Sequence, residues 1–117
     1  MQVVNAQVHI WSSGTPLAPH LQVSHYGADE LLREMANAGV DAALIHSPSW
    51  DSRSHEIAVE AARAHPNRFA VLGYLPPDLV QSRALIDSWK RQPGVLGLRY
   101  ALVRPEQQSW HADGTMD

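Results

Sequence analysis

Cysteine is absent from the 117 residues. Its absence excludes a disulfide frame, a thiolate metal site and a cysteine nucleophile. A basic run is also lacking. Nine Lys and Arg are spread among twelve Asp and Glu, and the formal net charge is −3. That balance argues against a nucleic-acid partner. No apolar run approaches the ~20 residues of a membrane span, and no signal-peptide pattern precedes the first strand candidate. A membrane partner is therefore not expected, and the cytoplasm is the expected location. Glycine-rich phosphate loops, Gly-x-Ser-x-Gly elbows, His-Glu-x-x-His pairs and EF-hand loops are all missing.

What remains is 44% hydrophobic and only 18% charged, the composition of one globular domain over residues 1–117. The informative stretch is the first, Val3 to Trp11. It alternates with period two. Val4, Ala6, Val8 and Ile10 share one face, and Asn5, Gln7 and His9 share the other. An apolar face of this kind takes helices. A column of amides and imidazole suggests a site, because buried polar groups are costly unless satisfied.

Three more short apolar runs suit buried parallel strands: 41–46, 69–74 and 94–100. Helical stretches separate them. The first is expected over 28–38, with Gly27 as N-cap, Glu30 completing half a capping box, and Gly39 ending it. Leu31, Leu32, Met35 and Ala38 form its apolar stripe. The second is expected over 54–65, with Ile57, Ala58, Ala61 and Ala62 inward, Glu56, Glu60 and Arg63 solvated, and Pro66 as the stop. The third begins after Pro76-Pro77, with an Asp78–Gln81 capping pair and Leu79, Leu85, Ile86 and Trp89 as its buried face. From Val103 the chain is polar and irregular, and Thr115 has the character of an N-cap. The order β-α-β-α-β-α-β predicts right-handed crossovers and a parallel sheet. Four such strands make about half of a (β/α)8 barrel, which typically needs ~250 residues. The expected fold class is α/β, the N-terminal half of a TIM barrel. Its exposed edges are expected to favour self-association. A complete four-stranded domain with a C-terminal tail is the alternative.

Polar residues recur at the carboxyl ends of all four strands, where α/β folds keep their chemistry. His9 is the leading candidate, as a metal ligand, proton carrier or substrate contact, against a satisfied structural role. Gln7 shares its face and suits hydrogen bonding better than zinc. Arg99 ends an apolar strand and suits a substrate carboxylate, or a salt bridge to a neighbouring loop. His46 faces a pocket or caps its strand. Ser49 and Trp50 contact substrate or pack. Tyr74 is a hydrogen-bond donor or a rim residue, and Trp11 is packing or a pocket wall. His20 and His25 fall in a long polar loop and are expected to be exposed. His55 and His65 fall at helix ends and are read as ordinary surface imidazoles.

With these residues in view, the chain resembles the amidohydrolase-2 branch of the amidohydrolase superfamily. The resemblance rests on Gln7-Val8-His9-Ile10-Trp11, Ala38-Gly39-Val40-Asp41, residues 64–70, and the 94–99 run that ends in Arg99. That family's opening motif is Asp-x-His-x-His. Asn5 stands at the aspartate, Gln7 at the first histidine, and His9 alone matches. The resemblance implies hydrolysis of a lactone, amide or related C–O or C–N bond, or decarboxylation, in a small carboxylated substrate. His9 would be the catalytic residue. Gln7, Trp11, His46, Ser49, Trp50, Tyr74 and Arg99 would bind substrate. It also implies one divalent metal such as zinc at His9, weak or absent because Gln7 replaces an imidazole. The family's later histidine and aspartate would fall beyond Asp117, so this portion by itself is expected to be inactive. A non-catalytic small-molecule-binding relative, or a truncated product without activity, is the rival expectation.

Overall fold

The computed structural model describes residues 1–75, 77 and 80–116. Four parallel strands alternate with three helices. They are β1 (Val4–Val8), α1 (Ala28–Ala38), β2 (Ala42–His46), α2 (Ser54–Ala64), β3 (Phe69–Gly73), α3 (Val80–Trp89) and β4 (Val95–Leu98), followed by a 3-10 turn at Pro105–Gln107. The sheet order is β1-β2-β3-β4, so every strand pairs with its sequence neighbour. Ala43 pairs with Phe69 and His46 with Leu72 across β2 and β3. The register shifts between Asn5 and Val8 on β1, and between Val71 and Leu72 on β3. No helix among the described residues is long and apolar enough to cross a membrane.

The core lies between the sheet and helices α1 and α2. Ile10, Ile45 and Val71 are its fully buried large side chains. Ala58, Ala61 and Ala62 of α2 are buried against β2 and β3, where their small side chains let helix and sheet approach closely. Leu31 and Met35 seal α1, and Leu32 packs beside them. The caps follow the sequence. Glu30 accepts the Gly27 N–H at 2.9 Å, and Gly39 takes the left-handed conformation that ends α1.

Several details depart from expectation. Val4 is 55% exposed, and Asn5, Ala6 and Gln7 are exposed as well. β1 is an outer strand with one neighbour, so its apolar face is covered only from Val8 onward, and its amides lie open. Ala38 is exposed at the last turn of α1. Leu85 and Ile86 are exposed, whereas Trp89 is buried as expected and Ser82 is buried with it. The Trp89 ring stacks on His55 at 4.6 Å, and its Nε1–H donates to the Gly97 carbonyl at 3.0 Å. Those contacts anchor α3 toward α2 and leave Leu85 and Ile86 uncovered. His55 is therefore half-buried and packed, not an ordinary surface imidazole. The Thr115 N–H closes a turn on Asp113. The Asp78–Gln81 pair and Leu79 involve positions outside the described residues.

Candidate functional site

Parallel strands bring their carboxyl ends to one side of the sheet. On β1 and β2 those ends are laced together through two histidines. The His9 Nδ1 lies 2.9 Å from the His46 carbonyl oxygen, and the His46 Nε2 lies 3.0 Å from the Ala6 carbonyl oxygen. A carbonyl can only accept, so His9 carries its proton on Nδ1 and His46 on Nε2. Each neutral ring then presents its other nitrogen as a bare acceptor. The His9 Nε2 makes no hydrogen bond among the described residues. The His46 Nδ1 is buried and has no hydrogen-bond partner among the described residues. Both rings are held below the ordinary histidine value. Burial is the larger cause for each, opposed by the carbonyl bond. Nearby His20 and His46 push His9 down further, and the Arg99 guanidinium acts on both.

Three polar atoms at the end of β2 and in the loop after it are buried without partners among the described residues: His46 Nδ1, Ser47 Oγ and Trp50 Nε1. Buried polar groups are ordinarily satisfied, so a run of three within five residues marks a place that takes polar ligand atoms or water.

The sequence candidates separate as follows. His9, Trp50 and Trp11 come together: His9 and Trp50 centroids are 5.7 Å apart, and Trp50 and Trp11 centroids 5.5 Å. His46 is 6.4 Å from His9 and buried. Trp11 is buried as packing, with its Nε1–H on the Val23 carbonyl and its ring stacked on Tyr26 at 5.4 Å. Arg99 is half-buried at the end of β4, close enough to influence both histidines, and no carboxylate among the described residues pairs with it. Gln7 is exposed, Ser49 is exposed, and Tyr74 is largely exposed against Tyr100 at 5.4 Å.

Two residues passed over in the sequence belong to this region. His20, expected to be exposed, is half-buried, 5.1 Å from His9 and 4.8 Å from Trp50. Nothing in the local pattern of residues 12–26 signals that return. Asp51 is 97% removed from solvent and holds the loop before it to the loop after β1. Its position right after Trp50, in the loop that follows β2, was the available signal. A cleft of about 440 Å³ runs beside β1, lined by Gln7, His9, Trp11, His20, Tyr26 and Met35. Arg99, His46 and Trp50 do not line it, so the cleft opens on only the β1 side of the cluster.

No group of three His, Asp or Glu donors able to hold an ion occurs among the described residues. These residues therefore do not fit a three-ligand zinc centre by themselves.

No protein-family model matches the chain, and no curated protein matches it. A solved structure does. It is the crystal structure of a probable 2-pyrone-4,6-dicarboxylic acid hydrolase from Acinetobacter baumannii with citric acid bound. The TM-score is 0.63 at 14% identity, covering 94% of this chain and 44% of that one. At that identity the likeness shows the fold alone. The chain is an α/β domain with the architecture of a partial (β/α)8 barrel, spanning less than half the length of the protein it matches.

Proposed function

We propose that this chain forms the His9-bearing part of an amidohydrolase-type site for a small carboxylated substrate. The observation that supports this most is the pairing of opposite chemistries at one end of the sheet. Two imidazoles are held neutral with acceptor nitrogens bare, and Arg99 has no carboxylate partner among the described residues. A half-buried guanidinium without a protein anion favours an anionic ligand. In this reading Arg99 binds a carboxylate. His9, through Nε2, accepts a hydrogen bond from water or from a substrate hydroxyl and so orients the reacting group. Trp50 walls the space, and His46 and Ser47 offer further polar atoms. Hydrolysis of a lactone or amide is the preferred reaction and decarboxylation the alternative. A divalent ion such as zinc would need donors beyond the described residues. In this reading the base comes from outside the described residues.

Calorimetric titration with citrate, a small tricarboxylate, tests the reading. Saturable binding is expected, weakened about tenfold or more by Arg99→Met, a loss of roughly 1.4 kcal/mol. Equal affinity in Arg99→Met, or no binding to the wild-type chain, would contradict it. A second reading is a binding module without catalysis. Gln7 favours it, because that side chain is exposed and supplies no imidazole. Carboxylate binding without turnover of a lactone or amide would select it.

A further inference from the structure

Residues 9–27 join β1 to α1 without regular structure of their own. A connection longer than about 15 residues is uncommon in a small domain and is usually functional or disordered. This one is ordered by three devices. At its neck, Trp11 and Tyr26 form an antiparallel bridge, with N–H to carbonyl distances of 2.9 and 3.0 Å. Inside it, the Gln22 side-chain amide donates to the carbonyls of Leu17 at 3.0 Å and His20 at 2.8 Å. At its base, the Asp51 carboxylate from the loop after β2 grips Ser12 and Ser13. Oδ2 accepts the Ser12 N–H at 2.7 Å, the Ser12 hydroxyl at 3.0 Å and the Ser13 N–H at 3.3 Å. Oδ1 accepts the Ser13 hydroxyl at 3.3 Å and the Arg53 N–H at 2.9 Å. A loop with pinched ends and internal bonds is a compact Ω-type unit, and its tip returns to the strand it left.

The return matters because of what the tip carries. His20 packs edge-on to His9 at 5.1 Å and against Trp50 at 4.8 Å, and both histidines line the same cleft. Trp50 is the residue next to Asp51. One buried carboxylate therefore fixes both the loop that bears His20 and the tryptophan on which His20 rests.

We propose that the β1–α1 loop is a fixed wall of the site, in which His20 is a second ligand-contacting imidazole beside His9 and Asp51 is the positioning residue that holds it there. The proposal adds a contact to the carboxylate-binding reading above and rests on it for the identity of the ligand. The positioning stands on the ligand-free protein.

The experiment has two arms. In the ligand-free protein, proton NMR is expected to show a ring-to-ring Overhauser effect between His9 and His20. Asp51→Asn keeps the side-chain size but puts an amide N–H₂ among donors, and is expected to abolish that effect while far-UV dichroism is unchanged. Where Asp51→Asn fails to fold, the double variant Ser12→Ala, Ser13→Ala removes the gripped hydroxyls and is expected to weaken the effect. No effect in the wild type, or a full one in the folded Asp51 or serine variants, overturns the positioning role. In the second arm, His20→Ala is expected to weaken citrate binding about tenfold with folding intact, whereas His65→Ala leaves it unchanged. Equal citrate affinity in His20→Ala overturns the contact role. If the wild-type chain binds no citrate at all, the carboxylate reading and the His20 contact fail together, and the first arm still decides the positioning role.

Discussion

Replacing Gly14 by alanine should loosen the loop wall selectively, and the size of the effect follows from two separable terms. Gly14 has φ +86°, and a Cβ added there would lie 2.1 Å from the Trp50 carbonyl oxygen. The first term is the left-handed backbone, which costs a non-glycine residue about 1–2 kcal/mol. The second is the collision itself. The obstacle is backbone, which cannot rotate away as a side-chain tip could. Relief comes from lifting residues 12–14 off the loop after β2, which breaks hydrogen bonds to the Asp51 carboxylate. Bonds to a charged acceptor contribute about 1.5–3 kcal/mol each, so losing one or two costs about 1.5–6 kcal/mol. Gly39 provides the control. Its φ is +69° and nothing lies within 4 Å of an added Cβ, so Gly39→Ala carries the first term alone. Any gain from stiffening the unfolded chain is shared by both variants. A chain of this size loses about 4 °C in melting temperature per kcal/mol. Gly14→Ala should therefore melt roughly 6–24 °C below Gly39→Ala. Melting followed by circular dichroism measures the difference, and amide exchange at Ser12 and Ser13 should quicken only in Gly14→Ala. Melting temperatures within about 2 °C of one another, with equal exchange, would refute the reasoning.

Other outcomes follow from the same structure. His9 and His46 sit below their ordinary 6.5, so the unfolded chain binds protons first and stability falls as pH drops below about 6.5. Urea titrations from pH 7.5 to 5 should show that fall, and His9→Gln should flatten it; an unchanged slope argues against the buried neutral rings. Burial raises the Asp51 carboxyl, but the Ser12, Arg53 and Ser13 donors outweigh it and hold it below 3.8, so its contribution persists above that pH and is lost only in stronger acid. The outer edges of β1 and β4, with Val4 and Leu96 exposed, should drive concentration-dependent association in sedimentation experiments. Val4→Lys should reduce it, and a monomer at all concentrations would count against open edges. Chelator treatment should leave citrate affinity unchanged, since no three-donor group occurs among the described residues. A drop after chelation would reveal a metal-linked site.

Much of the architecture was legible because local signals were consistent. The strands at 42–46 and 69–73, the Gly27 and Gly39 boundaries of α1 and the alanine face of α2 all follow from short-range pattern. The misreadings of β1 and α3 have a common origin at the sheet's edges. Alternation in β1 and a stripe in α3 encode which side is apolar. They do not encode whether a neighbouring element covers it, and Val4, Leu85 and Ile86 remain exposed. Of the candidate site, position at strand ends nominates His9, His46 and Arg99, and position in the loop after the second strand nominates Trp50. His20 could not be read, because its place depends on a neck bridge, an internal amide and a carboxylate about thirty residues away. Seven unusual loop bonds carry more information about it than its own neighbours in sequence.

The most direct test of the central claim is a citrate titration of isotopically labelled protein, followed at the histidine, tryptophan and arginine side chains. The account predicts saturable shifts at His9, His20, His46, Trp50 and Arg99, with His65 and His111 unmoved. Shifts confined to His65, His111 or the exposed lysine and arginine side chains, or none at all, would contradict it.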